Sequence, residues 1–320
     1  MQRLWHLTPV LFLLALFGLA GCEAALPPPT SGPPPVRVIR PPEPTLRVPP
    51  PSRLSEATRE YYAQLQSSLL AQGLLRTDRG GPDTPFTDRN LAENFIRIAL
   101  YDEYVTQNGQ FVQRQTPSQL RRWVKPVRMA VEFGDRVPLA QRSRDIGAVA
   151  SYAGELAQIT GHPVALVTEG ANFHVLILNE DDRRAAGPRL ASLVPGISAA
   201  DLATVIEMPR ETYCLVFAYS GNAASTYDSA VAVIRSEHPD LLRQSCLQEE
   251  LAQGLGLAND SPDARPSIFN DDEEFARLTV QDRLLLRMLY DARLRPGMTP
   301  EMAAPVVRVI AEELMGGGAG

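Results

Sequence analysis

The sequence predicts an α+β (mixed α/β) domain, with a sheet of about five strands flanked by helices. Three observations carry that prediction. Apolar residues recur at helical spacing in several long segments, short β-rich runs fall between them, and residues 52 to 314 are enough for one sizeable core. A content of 44% hydrophobic and 21% charged residues suits a globular chain.

Ser55 to Leu75 and Asp88 to Tyr104 read as helices. In the second, Leu91, Phe95, Ile98 and Ala99 share one face, and Thr87 or Asp88 can serve as its cap. Trp123 to Phe133 alternates through Val127, Met129, Val131 and Phe133, as a strand does. Arg144 to Thr160 returns to helical spacing and stops before Gly161. Four β-rich runs follow: Val164 to Thr168, His174 to Leu178, Cys214 to Tyr219, and Ser229 to Ile234. Pro239 to Leu257 is helical again, with Leu247, Leu251 and Leu255 stacked at intervals of four along one face. Helices over Thr279 to Tyr290 and Pro300 to Leu314 close the domain, and the Gly-rich end, 315 to 320, is expected to be flexible.

The amino-terminal end has a different character. Residues 1 to 21 read as a signal sequence, with Arg3 followed by an apolar run from Leu7 to Ala20 that is too short to anchor in a bilayer. The run ends in Leu19-Ala20-Gly21-Cys22, which resembles a bacterial lipobox, so Cys22 is the expected site of lipidation. Two or three acyl chains hold firmly where one does not, which makes the lipid bilayer the first expected partner. Glu23, rather than Asp, follows the cysteine, and by the sorting rule that the resemblance implies this points to the periplasmic face of the outer membrane rather than the inner. From 22 to 51 the chain reads as a lipidated terminus and a linker. Prolines supply almost half of residues 27 to 51, favouring extended polyproline II with a span of roughly 75 Å. A proline-rich ligand for a partner domain is the sharper alternative for this stretch.

The formal charge of −6 becomes −7 once Arg3 leaves with the signal. A mildly acidic surface gains nothing from phosphate backbones, so nucleic acid is not an expected partner. Three cysteines are present, and lipidation of Cys22 leaves Cys214 and Cys246 in an oxidising compartment. A disulfide between them is expected; two buried free thiols are the alternative.

The segment Cys246 to Asp260 reads CLQEELAQGLGLAND. It resembles the zinc helix of metzincin-type peptidases, whose pattern is H-E-x-x-H-x-x-G-x-x-H with a methionine turn farther along. On that pattern Glu249 and Gln253 stand at the first two histidines, Glu250 matches the general base, Gly256 matches the glycine, and Asn259 falls on the third ligand with Asp260 beside it. Met298 would supply the methionine turn. The same stretch, with Ser267-Ile268-Phe269-Asn270-Asp271, Asn94-Phe95 and Leu120 to Trp123, resembles a proteobacterial family of lipoproteins of unknown function.

Zinc hydrolysis needs three good donors and one open position, so that the bound water ionises near neutral pH. Residues 249 and 253 lie one helical turn apart, so two donors could share a face. The donors themselves are one carboxylate and two neutral amides, a hard, oxygen-only set nearer to a poor calcium or magnesium site. The expectation is therefore a degenerate site without cofactor, with zinc or calcium as alternatives and Glu250 as the candidate catalytic residue should one exist. The mature histidines, His162, His174 and His238, are scattered and read as packed or surface residues. The acidic run 270 to 274 lacks the regular spacing of a calcium loop. No nucleophile elbow, phosphate loop or dinucleotide fingerprint is present.

The functional expectation is a periplasmic domain that binds envelope polypeptides rather than cleaving them. A divergent metal-dependent hydrolase of envelope peptides or peptidoglycan, and a structural envelope lipoprotein, are the competing classes.

Overall fold

The computed structural model describes residues 48–107, 110–221, 225–270 and 272–316. Cys22, the signal segment and nearly all of the linker lie outside the described residues.

Helix α1 (Arg53–Ala71) begins at Ser52, whose hydroxyl accepts from the Ser55 amide. Helix α2 (Asp88–Ala99) starts with a reciprocal capping box between Thr87 and Asn90. It ends sooner than the spacing predicts. Tyr101 to Tyr104, expected to be helical, turn into an antiparallel hairpin, β1 (Tyr101–Gln107) and β2 (Gln110–Pro117). The aromatic and β-branched residues Tyr101, Tyr104, Val105 and Thr106 favour extended backbone, and Asn108-Gly109 between the strands is a strong hairpin signal in the sequence.

The remaining strands form one mixed sheet in the order β4-β3-β5-β7-β6. Strands β3 (Val127–Phe133), β4 (Val164–Leu166), β5 (Phe173–Leu178) and β7 (Tyr227–Arg235) are mutually parallel, and β6 (Cys214–Ser220) runs antiparallel to β7 at one edge. Helix α3 (Leu139–Thr160) crosses from β3 to β4 and stops at Gly161, which is left-handed at φ 65°. Helices α4 (Glu180–Arg184), α5 (Gly187–Leu193) and α6 (Ala199–Ile206) fill the passage from β5 to β6, a stretch too short in each helix to show a period. Helix α7 (Asp240–Gln253) follows β7 and runs back toward the amino ends of the strands, and α8 (Val280–Leu289) and α9 (Pro300–Gly316) complete the order.

Both faces of the sheet are covered, which is why β5 and β7 read as nearly unbroken apolar runs. On one face Val175, Ile177, Ala230, Ala232 and Ile234 join the main core with Val149 and Leu156 of α3 and Leu247, Leu251 and Leu255 at α7. On the other, Leu176, Val231 and Val233 pack under Leu190 of α5 and Val205 of α6. A third, separate cluster holds α1 through Tyr62 and Leu69 against Leu75, Leu242 and Ala276. The disulfide Cys214–Cys246 joins the start of edge strand β6 to α7.

Candidate functional site

Helix α7 carries its leucines into the core, and this rotation sets where its polar residues go. Glu250 is buried, at 4% exposure, while Glu249 and Gln253 are half-buried. The Gln253 side-chain amide donates to Asp260 Oδ1 at 2.9 Å, so these two candidate positions meet. Asn259 goes elsewhere. Its amide donates to the Arg97 carbonyl at 2.8 Å and its backbone N–H to the Ile98 carbonyl, so it pins the chain to the end of α2. Among the described residues no group of three or more His, Cys, Asp or Glu is arranged to hold a metal ion. What the helix presents is one carboxylate-amide pair, Asp260 and Gln253, with Glu249 one turn before Gln253 on the same side.

The end of α7 is fixed by unusually close packing. The Gly254 carbonyl accepts from Trp123 Nε1 at 2.8 Å, and a Cβ on Gly254 would lie 2.5 Å from the Phe173 ring. At Gly256 the backbone is at φ 130°, and a Cβ would lie 2.2 Å from the Arg121 carbonyl oxygen. Glycine is required there on both counts. The glycine that aligns with a zinc-helix pattern therefore serves, in this chain, to let two backbones touch.

Residues 120 to 123 form a strap that ties α7 to the loop containing Met298. The Leu120 amide donates to the Met298 carbonyl at 2.8 Å, and the Gly297 amide to the Leu120 carbonyl at 2.9 Å. The Arg122 guanidinium bonds the carbonyls of Leu289, Asp291 and Leu294, and Tyr290 Oη donates to the Leu255 carbonyl at 3.2 Å. The half-buried Met298 side chain packs on the main core. Asn94 and Ser267, singled out with this strap in the sequence, are also pins: Asn94 donates to Gln281 Oε1 at 3.0 Å and Ser267 to Asp282 Oδ1 at 2.5 Å.

The histidines stay apart. His162 Nε2 is 2.9 Å from the Lys125 carbonyl, and His174 Nδ1 is 3.0 Å from Glu132 Oε1. Glu132 is clamped by Arg189, whose Nε and Nη2 donate to its two carboxylate oxygens, and these hydrogen bonds hold its carboxyl below the usual range. His238 is 2% exposed, at the carboxyl end of β7, and burial drives its pKa well below the ordinary value.

That end of the sheet holds a buried polar network not anticipated from the sequence. Arg235 donates to Glu180 Oε2 at 2.9 Å and to the Met208 and Pro209 carbonyls. Arg243 pairs with Asp145 at 2.9 Å and donates to the His238 carbonyl. Glu237 Oε1 accepts from the Glu180 amide and from Ser55 of α1. The signal for it is local: Arg235-Ser236-Glu237-His238, four polar residues that close and follow an apolar strand.

Residues 88–309, more than two thirds of the chain, match the model of a family described as a protein of unknown function, DUF2927. Neither a curated protein nor a solved structure matches the chain at a significant level.

Proposed function

The chain belongs to this family of unknown function, and from that premise we propose that it is an envelope lipoprotein, anchored by acylated Cys22, whose folded domain binds an extended polypeptide and does not cleave it. The observation that carries the binding reading is the side-chain chemistry of α7. At the positions where a zinc peptidase of the metzincin type would offer imidazoles, this chain has Glu249 and Gln253, and the amides of Gln253 and Asn259 are engaged by Asp260 and the Arg97 carbonyl. Neutral amides bind zinc weakly and do not sustain a water with a pKa near 7. The place for a ligand is the edge of the sheet. Strand β6 ends the sheet order, and the disulfide holds it beside α7, so an incoming strand would add along β6 with main-chain hydrogen bonds. The disulfide also suits an oxidising compartment, in keeping with export.

A photo-crosslinking amino acid at Ser220, the exposed end of β6, tests the ligand in intact cells. Capture of a reproducible envelope polypeptide is expected, and repeated capture of none opposes the reading. Metal analysis of protein purified without chelator should find no stoichiometric zinc. Zinc at one equivalent, together with peptide hydrolysis lost on Glu250→Gln, would replace binding by catalysis. Lipidation is tested separately: labelled palmitate should enter the wild type and not Cys22→Ser, and the protein should travel with outer-membrane markers on a density gradient.

A further inference from the structure

Helix α1 stands apart from the rest of the described fold in three ways. It precedes residues 88–309, the segment that matches the family. Its apolar residues form their own small cluster rather than joining the main core. Its polar contacts fall on the carboxyl end of the sheet: Ser55 Oγ donates to Glu237 Oε1 at 2.7 Å, the Ser52 amide to Asp181 Oδ2 at 3.0 Å, and Gln66 Oε1 accepts from the Leu242 amide. An element held by a satellite cluster and a few polar contacts can open without the core.

Beneath α1 lies His238. Its ring meets Tyr62 edge-on at 4.2 Å between centroids and is 2% exposed, and neither ring nitrogen has a hydrogen-bond partner among the described residues. A phenyl ring would fill the same space and leave no buried polar atom unpaired, so packing alone does not account for an imidazole here. The groups around it are Tyr62 of α1, Tyr213 before β6, Arg235 and Glu237 at the end of β7, and Arg243 of α7 with its partners Asp145 and Asp240. Two guanidiniums oppose a further positive charge, and burial opposes it more.

We propose that α1 is an acid-released latch: protonation of His238 frees the helix from the carboxyl ends of β5 and β7 while the sheet stays folded. The imidazole takes its proton from solvent once α1 lifts, and a charged imidazolium cannot be covered again. Docking through this group is therefore fully present above the exposed histidine's pKa of about 6.5 and is lost as pH falls below it. Glu237 works in the opposite sense, because burial raises its carboxyl, so acid favours the docked state through that group. If the tether of the proposed function is correct, release adds the 19 residues of α1 to its reach.

Hydrogen exchange on the full-length chain, corrected for intrinsic rates, separates the two groups. In Glu237→Gln, which leaves His238 as the titrating group, the opening constant of α1 amides should rise about tenfold between pH 7.5 and 5.5, the ratio set by an exposed pKa of about 6.5. Amides of β5 and β7 should keep their protection. In His238→Phe the acid-induced rise should vanish. The same rise in both variants, or α1 amides that exchange only together with β5 and β7, would overturn the latch whether or not the domain binds polypeptides.

Discussion

Replacing Gly256 by alanine should destabilise the domain by about 2–6 kcal/mol, and the figure comes from two separate costs. The residue sits at φ 130°, where an L side chain is strained by on the order of 1–3 kcal/mol. Its new Cβ would stand 2.2 Å from the Arg121 carbonyl oxygen. That oxygen belongs to backbone, held in the strap whose neighbours Arg122 and Trp123 bond four other carbonyls, so it cannot swing aside as a side-chain tip would. Overpacking of this kind adds roughly 1–3 kcal/mol. The matched control is Gly147→Ala on an exposed turn of α3, where nothing lies within 4 Å and alanine should stabilise by about 0.5–1 kcal/mol. Urea unfolding of both variants gives the answer, with opposite shifts of midpoint expected at similar slope. A Gly256→Ala protein within about 1 kcal/mol of the wild type would refute the close approach of α7 to residues 120–123, and with it the arrangement of the candidate site.

Converting both Cys214 and Cys246 to alanine opens a loop of 31 intervening residues and should cost about 3.5 kcal/mol by the chain-entropy estimate, with edge strand β6 losing exchange protection first; unchanged stability would argue against the bond. Asp282 is wholly buried and accepts from Ser267 Oγ, the Ile268 and Thr279 amides and Thr279 Oγ1, so Asp282→Ala should lower stability by about 3–5 kcal/mol on urea unfolding. Burial raises the Asp282 carboxyl, so its contribution is greatest below about pH 4 and falls as pH rises through the raised value; the pH dependence of the wild-type midpoint should carry this slope and that of the alanine variant should not.

Much of the architecture was legible because each large helix and each sheet strand buries a face of its own. The stacked leucines of α7 and the alternation of β3 specify their elements locally, and caps at Thr87, Thr279 and Gly161 mark ends. The strand over Tyr101 to Tyr104 was not legible, because these residues continue an amphipathic helical pattern and only the Asn108-Gly109 pair in the sequence argues otherwise. The short helices α4 to α6 escaped notice because five to eight residues are too few to establish a period. The candidate site was half readable. Spacing along a helix puts Glu249 and Gln253 on one side, but nothing in the chain says that Asn259 turns to Arg97 while Asp260 meets Gln253.

The sequence by itself determined the periodic elements, the apolar amino-terminal run that ends at Cys22, the proline-rich segment, and the carboxylate and two amides at positions 249, 253 and 259. Those properties belong to residue type and local spacing. Tertiary structure alone decided that β6 stands antiparallel at the sheet edge, that Gly256 lies against the Arg121 carbonyl, and that α1 covers His238. Each of these depends on contacts between segments far apart in the chain, and such contacts are chosen by burial and hydrogen-bond satisfaction in three dimensions, which no local window contains.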